Sequence, residues 1–200
     1  MIKNVIFDIG RVLLDFEPLI YLNKVYSGNN LSKLLYEEIF CSKEWVMLDE
    51  GSITDNDAVN IFCKRNPNYN KEVMQIMNNW TDILYPIEET VQVLETLKNN
   101  NYKIYLLSNF HYSAFNQVYN KYKFLRLADG MVISSHINLL KPNKEIYNHL
   151  LDKYSLNASE SIFVDDTIAN IEAAKTIGIT AIHFKNPNQL KDDLKRLNIL

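Results

Sequence analysis

Cysteine is scarce in this chain, basic residues are not in surplus, and no long apolar run occurs. Cys41 and Cys63 are the only two cysteines in 200 residues. They show no metal-ligand spacing and allow at most one disulfide, which excludes a disulfide-built scaffold and fits a reduced, cytoplasmic protein. Lysine and arginine number 21 against 24 acidic residues, for a formal net charge of −3. The basic residues are scattered, apart from pairs such as Lys64-Arg65 and Lys195-Arg196. Neither nucleic acid nor an anionic membrane is therefore indicated as a partner. No segment approaches the ~20 apolar residues that span a bilayer. Asp8 also interrupts the first apolar run too early for a signal peptide. Nothing repeats at a fixed period, and Asn99-Asn100-Asn101 is the one low-complexity patch, a solvated turn.

What remains is an ordinary globular composition, 47% apolar and 22% charged. The length suits one domain, or one domain with an insert, and buries a sizeable core without staples. Short apolar runs alternate with helical patterns. Strands are predicted at Asn4–Phe7, Lys103–Leu107, Met131–Ile133, Ser161–Val164 and Ile179–Phe184. Between them Val91, Leu94 and Leu97 share one helical face. So do Ile146, Leu150 and Tyr154 after Pro142, and Ile168, Ile171, Ala174 and Ile177 before Gly178. This alternation predicts an α/β protein with a doubly wound parallel sheet and helices on both faces. The first strand breaks the rhythm. Tyr21–Tyr26, Leu31–Phe40, Asn56–Lys64 and Glu72–Leu84 read as helices. Residues 16–85 are thus expected to form an α-helical insert, with Pro86 at the return to a core of 1–15 and 86–200. The leucines of the C-terminal LKDDLKRL are expected to pack on the sheet edge rather than form a dimer seam; oligomeric state is not legible.

Ligands of open parallel sheets bind beyond the carboxyl ends of the strands. Asp8 ends the first strand, Ser108-Asn109 the second and Asp165-Asp166 the fourth, while Lys141 follows the third. Singly, each has a plain structural reading: a turn, a helix cap, a solvated charge. As an ordered set they converge on one rim. Three carboxylates there repel unless a cation joins them, and Mg²⁺ favours a few carboxylates plus phosphate oxygens. Lys141 and Ser108 would then hold an anionic group, most naturally phosphate. Asp8 would attack phosphorus and form an aspartyl phosphate that water cleaves.

In order, VIFDIGRVL, YLLSN, LLKPNKEIY and FVDDTIANIEAAKTIG resemble the four motifs of the haloacid dehalogenase-like superfamily of hydrolases. The match spans nearly the whole chain. FDIG, WVMLDEGSIT, LLSN and KPNKEIY resemble in particular a bacterial subgroup of sugar-phosphate phosphatases. The resemblance implies a Rossmann-like core and a small helical cap. It also implies Mg²⁺ as cofactor and a small phosphorylated molecule, such as a hexose phosphate, as substrate. It implies Asp8 as nucleophile and metal ligand, Gly10 as a ligand through its carbonyl, and Ser108, Asn109 and Lys141 around the phosphate. Asp166 matches the principal metal ligand of the fourth motif, with Asp165 and Asn170 in support.

Gly10 departs from the wider family. Most of its phosphatases carry a second aspartate there, which protonates the leaving alcohol and is typically worth roughly 10²–10⁴ in rate. The resembled subgroup shares the glycine. Three explanations stand open. Another group supplies the proton, with His111, Asp15 and Glu17 as candidates; or the leaving group needs none, as in an acyl phosphate; or the protein binds phosphate without turnover. Trp45, Trp80, Tyr21, Tyr26 and Tyr36 either line a sugar pocket or fill the insert's core, the latter being the commoner use. Three rival classes remain: a metal-free haloacid dehalogenase, a phospho-accepting receiver domain, and a non-catalytic phosphate-binding regulator. The Asp165-Asp166 pair opposes the first, and the order of the motifs opposes the second.

Overall fold

The computed structural model describes residues 1–26 and 30–200. Five parallel strands form the main sheet in the order β5-β4-β1-β6-β7. They are β1 (Asn4–Phe7), β4 (Lys103–Ser108), β5 (Gly130–Ile133), β6 (Ser161–Asp165) and β7 (Thr180–His183). The chain runs outward from β1 through β4 to β5, then returns to the other side of β1 for β6 and β7. The strand order therefore reverses around β1, the place where such sheets open a binding crevice. Two-residue strands β2 (Leu14–Asp15) and β3 (Tyr85–Pro86) pair antiparallel. They bring the two ends of the helical insert together.

Alternation along the strands decides the two layers. Val5, Phe7, Ile104, Leu106, Ile162 and Val164 face one core, while Ile6, Tyr105, Leu107 and Phe163 face the other. Successive side chains of a strand point to opposite faces, so one apolar run feeds both. Helices α6 (Glu88–Asn99) and α11 (Pro187–Arg196) cover the first face through Leu94, Leu97, Leu190 and Leu194. Helices α9 (Lys144–Tyr154) and α10 (Ile168–Thr176) cover the second through Ile146, Leu150, Ile171 and Ala174. Leu190 and Leu194 are fully buried within this chain, as expected of a packed helix. Helix α9 begins at Lys144 behind Asn143, so Pro142 lies in the turn before it, with a cis Lys141–Pro142 bond. At the other end of α10, Gly178 takes φ +87, where a side chain is strained, and stops the helix.

Between β2 and β3 the structure is helical. Helices α1 (Pro18–Val25), α2 (Leu31–Leu35), α3 (Lys43–Glu50), α4 (Asp55–Arg65) and α5 (Asn70–Asn79) follow in order. Residues 27–29 of the insert lie outside the described residues. The sequence pattern misses α3, and the chain has π-type turns at Tyr36–Phe40 and a 3₁₀ turn at Trp80–Ile83 where it suggests continuous helix. Helix α3 is capped by Ser42, whose hydroxyl accepts from Trp45 N at 3.1 Å. Helix α7 (Tyr112–Lys121) follows β4, and the one-turn α8 (Ser134–Ile137) follows β5. Among the described residues no helix is long and apolar enough to cross a membrane.

Candidate active site

β1 is hydrogen-bonded on both sides, and its ladder ends where Asp8 N donates to Val164 O at 2.9 Å. The chain then turns sharply. Leu13 N and Leu14 N both return to Ile9 O, at 2.9 and 2.8 Å, and Arg11 adopts φ 57. The bridge between Gly10 and Leu14 uses the carbonyls of Ile9 and Leu14, leaving that of Gly10 uninvolved. Asp8 Oδ1 accepts from Ile9 N at 2.7 Å, which orients the carboxylate over the strand end.

Lys141 reaches the same point from the loop before α9, and its side chain is buried. Its Nζ lies 2.9 Å from Asp8 Oδ1 and 2.7 Å from Asp165 Oδ2, and donates to Leu107 O at 3.0 Å. An ammonium has three donors, so all are engaged. The Phe163 ring lies beneath it, 5.4 Å to the centroid. Asn109 braces the loop: its Oδ1 accepts from Lys141 N at 2.9 Å and its Nδ2 donates to Lys141 O at 3.0 Å. Both ends of its carboxamide are thus taken up by the Lys141 backbone. Ser108 is buried at the end of β4 beside Asp8.

Asp165 is fully buried and accepts from Lys141 Nζ, from Asn170 Nδ2 at 3.0 Å and from Thr167 N at 2.8 Å. Asp166 is more open; its carboxylate meets only the Thr167 hydroxyl, at 3.4 Å, among the described residues. One oxygen from each of Asp8, Asp165 and Asp166 lies within 4.8 Å of the others. Burial pushes Asp8 up to about 7, Lys141 opposing and Asp165 reinforcing. Burial and then Asp165 raise Asp166 as well. Burial alone would lower Lys141, but Asp165 and Asp8 outweigh it and hold the ammonium charged. Among the described residues Lys141 is the cation in contact with Asp8 and Asp165, and Arg11 and Lys141 act on Asp166 from further off, so carboxyl groups outnumber contacting cations at the rim.

Above the rim is a cavity of about 100 Å³. Phe16, Trp45, Trp80, Leu84 and Phe110 form its apolar walls, and Gly10, Asp49 and Asn109 its polar edge. A larger depression of about 600 Å³ lies between β7 and α11, and none of the residues gathered above lines it. Trp45 and Trp80 thus line the cavity and are also buried members of the core, against which Tyr21, Tyr26 and Tyr36 pack. His111 is wedged between the two indoles, with ring centroids at 4.3 and 5.0 Å. Burial pulls its pKa down to about 3, so the ring stays neutral and holds no acidic imidazolium proton near pH 7. Asp15 and Glu17 are exposed and border a surface cleft with Asp166 and Arg11, not this cavity.

Sequence reasoning passes over Asp49. It stands on α3, one turn after Trp45, so the two side chains share a face and both reach the cavity. The readable signals were Ser42 as a cap and Gly51 as a stop around WVMLDE. Asp49 is pushed up to about 8, chiefly by burial, then by the Asp8 charge, with Lys141 opposing.

Fold and site together define an α/β protein with a charged centre beyond the carboxyl ends of its parallel strands. The chain belongs to the haloacid dehalogenase-like hydrolases, whose family profile matches residues 5–184. It is similar to a sesquiterpene phosphatase of Aspergillus oryzae, 26% identical, covering 98% of this chain and 96% of that protein. It is also similar to the D-ribitol-5-phosphate phosphatase of Bacteroides thetaiotaomicron, 23% identical, covering 97% of each. Among solved structures, a family enzyme of B. thetaiotaomicron in complex with magnesium and inorganic phosphate superposes with TM-score 0.72. It is 21% identical and covers 93% of this chain and 96% of its own.

Proposed function

We propose that this hydrolase is a phosphatase that cleaves a small phosphorylated metabolite through an aspartyl phosphate on Asp8, with Mg²⁺ as cofactor. The observation that carries this reading is the buried Lys141 ammonium, in contact with Asp8 and Asp165 at 2.9 and 2.7 Å. A nucleophilic carboxylate and a fixed cation at one strand end suit attack on a dianion, because the cation offsets charge as it shifts in the transition state.

The surplus of carboxylate and the all-oxygen donor set fit a hard divalent cation. Asp8, Asp166 and the Gly10 carbonyl would hold it. When bound, the ion supplies neutralising charge and polarises a phosphoryl oxygen. The remaining work belongs to the chain. Asp8, oriented by Ile9 N–H, attacks phosphorus. Ser108 donates to a phosphoryl oxygen, and Lys141 balances its charge. Asp165, with its oxygens already engaged, positions Lys141 rather than binding metal first-hand; Asn109 does the same through the Lys141 backbone. Residues 16–85 act as a cap on a catalytic core of 1–15 and 86–200, and the aromatic walls keep bulk water off the rim.

Those walls favour a leaving alcohol with substantial apolar surface over a fully hydroxylated sugar. Among the described residues only Asp49 and Asn109 bring acidic or amide side chains to the cavity, and Asn109 is occupied. The terpenoid substrate in one relative's name agrees with this choice. Turnover of p-nitrophenyl phosphate in Mg²⁺, and its loss in EDTA and in Asp8→Asn, tests the reading. Turnover that survives Asp8→Asn refutes it, and halide release from a haloacid without metal replaces it with dehalogenation.

A further inference from the structure

Resting on that reading, the geometry points to Asp49 as the general acid and base that Gly10 cannot be. Three observations converge. Gly10 and Asp49 border the same cavity, so a leaving group seated there meets both. A Cβ built on Gly10 meets nothing within 4 Å, so the space a +2 carboxyl uses elsewhere is open rather than refilled by packing. And Asp49 is held in place by its backbone, not by its carboxyl. Ser134 Oγ donates to Asp49 O, Asn138 Nδ2 donates to Glu50 O at 3.0 Å, and Gly51 seats the helix end against Ser135.

The side chain is left available for chemistry. The His111 ring stands beside it, with Nε2 at 3.4 Å from Asp49 Oδ1. That ring is neutral and forms no ion pair. A largely buried carboxyl without a partnering cation keeps its proton, in line with the upward push noted above. Asp49 thus presents a protonated acid to the cavity while Asp8, beside Lys141, presents the nucleophile.

The balance closes over two steps. In the first, an Asp8 oxygen bonds to phosphorus and the bond from phosphorus to the alcohol oxygen breaks. The Asp49 proton passes to that oxygen, and neutral alcohol leaves. In the second, the Asp49 carboxylate takes a proton from water as the water oxygen attacks phosphorus. The bond between phosphorus and Asp8 breaks, which restores the Asp8 carboxylate and protonated Asp49 and releases inorganic phosphate.

Two substrates of similar shape separate this role from a structural one. Benzyl phosphate has an alkoxide leaving group that needs a proton; p-nitrophenyl phosphate does not. In Asp49→Asn, turnover of benzyl phosphate should fall by roughly 10²–10⁴, the usual worth of a general acid. With p-nitrophenyl phosphate the variant should release one rapid equivalent of nitrophenol per enzyme and then slow, because the phosphoenzyme waits for a base. Gly10→Asp added to Asp49→Asn should restore benzyl phosphate turnover by roughly tenfold or more, since a carboxyl re-enters the same cavity. Equal losses on both substrates with no burst would overturn the assignment, as would wild-type rates in Asp49→Asn. Persistence of either activity in Asp8→Asn strikes instead at the phosphatase reading itself.

Discussion

Removing the Asp8 carboxylate should make the metal-free protein more stable. Asp8 is 8% exposed and faces Asp165 across a single lysine. In the unfolded chain its carboxyl titrates near 3.8; in the folded chain burial pushes it up to about 7. Between those values the folded protein keeps a proton that the unfolded chain has lost, so wild-type stability falls as pH rises. The gap corresponds to roughly 4 kcal/mol at ~1.4 kcal/mol per pH unit, an upper figure because Lys141 and Asp165 titrate with it. Asp8→Asn keeps the shape and a hydrogen-bonding end while removing the ionisation. It should therefore stabilise by about 2–4 kcal/mol at pH 8 and by under half of that at pH 5. For a chain of this length that is about 4–16 °C in Tm at pH 8. Thermal and urea unfolding in EDTA at both pH values measure it. Saturating Mg²⁺ should narrow the difference, because an ion at 100 times its Kd adds about 2.7 kcal/mol to the form that binds it. An Asp8→Asn protein that is less stable than wild type at pH 8 in EDTA refutes the reasoning. So does a difference that ignores pH.

Two further substitutions probe how the insert is held. Gly51 has φ +79, and a Cβ there would lie 2.5 Å from Ser135 O and 3.0 Å from Ser135 Cα, both backbone atoms. Gly51→Ala should cost about 2–4 kcal/mol in urea unfolding, from overpacking and the left-handed backbone together, and should lower turnover by moving Asp49; wild-type stability would show that the approach is not close. Glu44 is buried, and its Oε1 lies 2.7 Å from Arg65 Nη2. Burial raises that carboxyl, but the Arg65 hydrogen bond prevails and holds it below its ordinary value. The pair's stability is thus present above the carboxylate range and is lost as pH falls through it. Arg65→Met should destabilise by about 1–3 kcal/mol at pH 7, less than a fully buried pair because the guanidinium is partly exposed. The loss should shrink towards pH 4, and a loss that grows there would contradict the pairing.

The sheet and its rim were legible because their causes are local. Four buried residues of β1, ended by a carboxylate, need no partner information to read as a central strand. Helix α3 was not legible because Glu44 occupies a core-facing position in it. What makes that position tolerable is Arg65 on α4, a pairing that no periodicity displays. Asp49 was lost with its helix. Asn109 was implied as a phosphate ligand by the family resemblance alone. Only the loop geometry reveals that Lys141 takes both of its polar atoms. His111 stood as one of several candidate proton donors, and its burial between two indoles, which lowers its pKa, is a packing feature that position in the sequence does not display.

The placement of β1 has a dynamic consequence. It is the one strand here bonded to β4 and β6 along its whole length, so freeing it requires parting the sheet on two sides. Its amides should open with the last cooperative unit, so hydrogen exchange there should report global unfolding rather than breathing. On the proposed mechanism the attacking oxygen of Asp8 is thus mounted on a strand held from both sides, and motion in the helices above it need not disturb its aim.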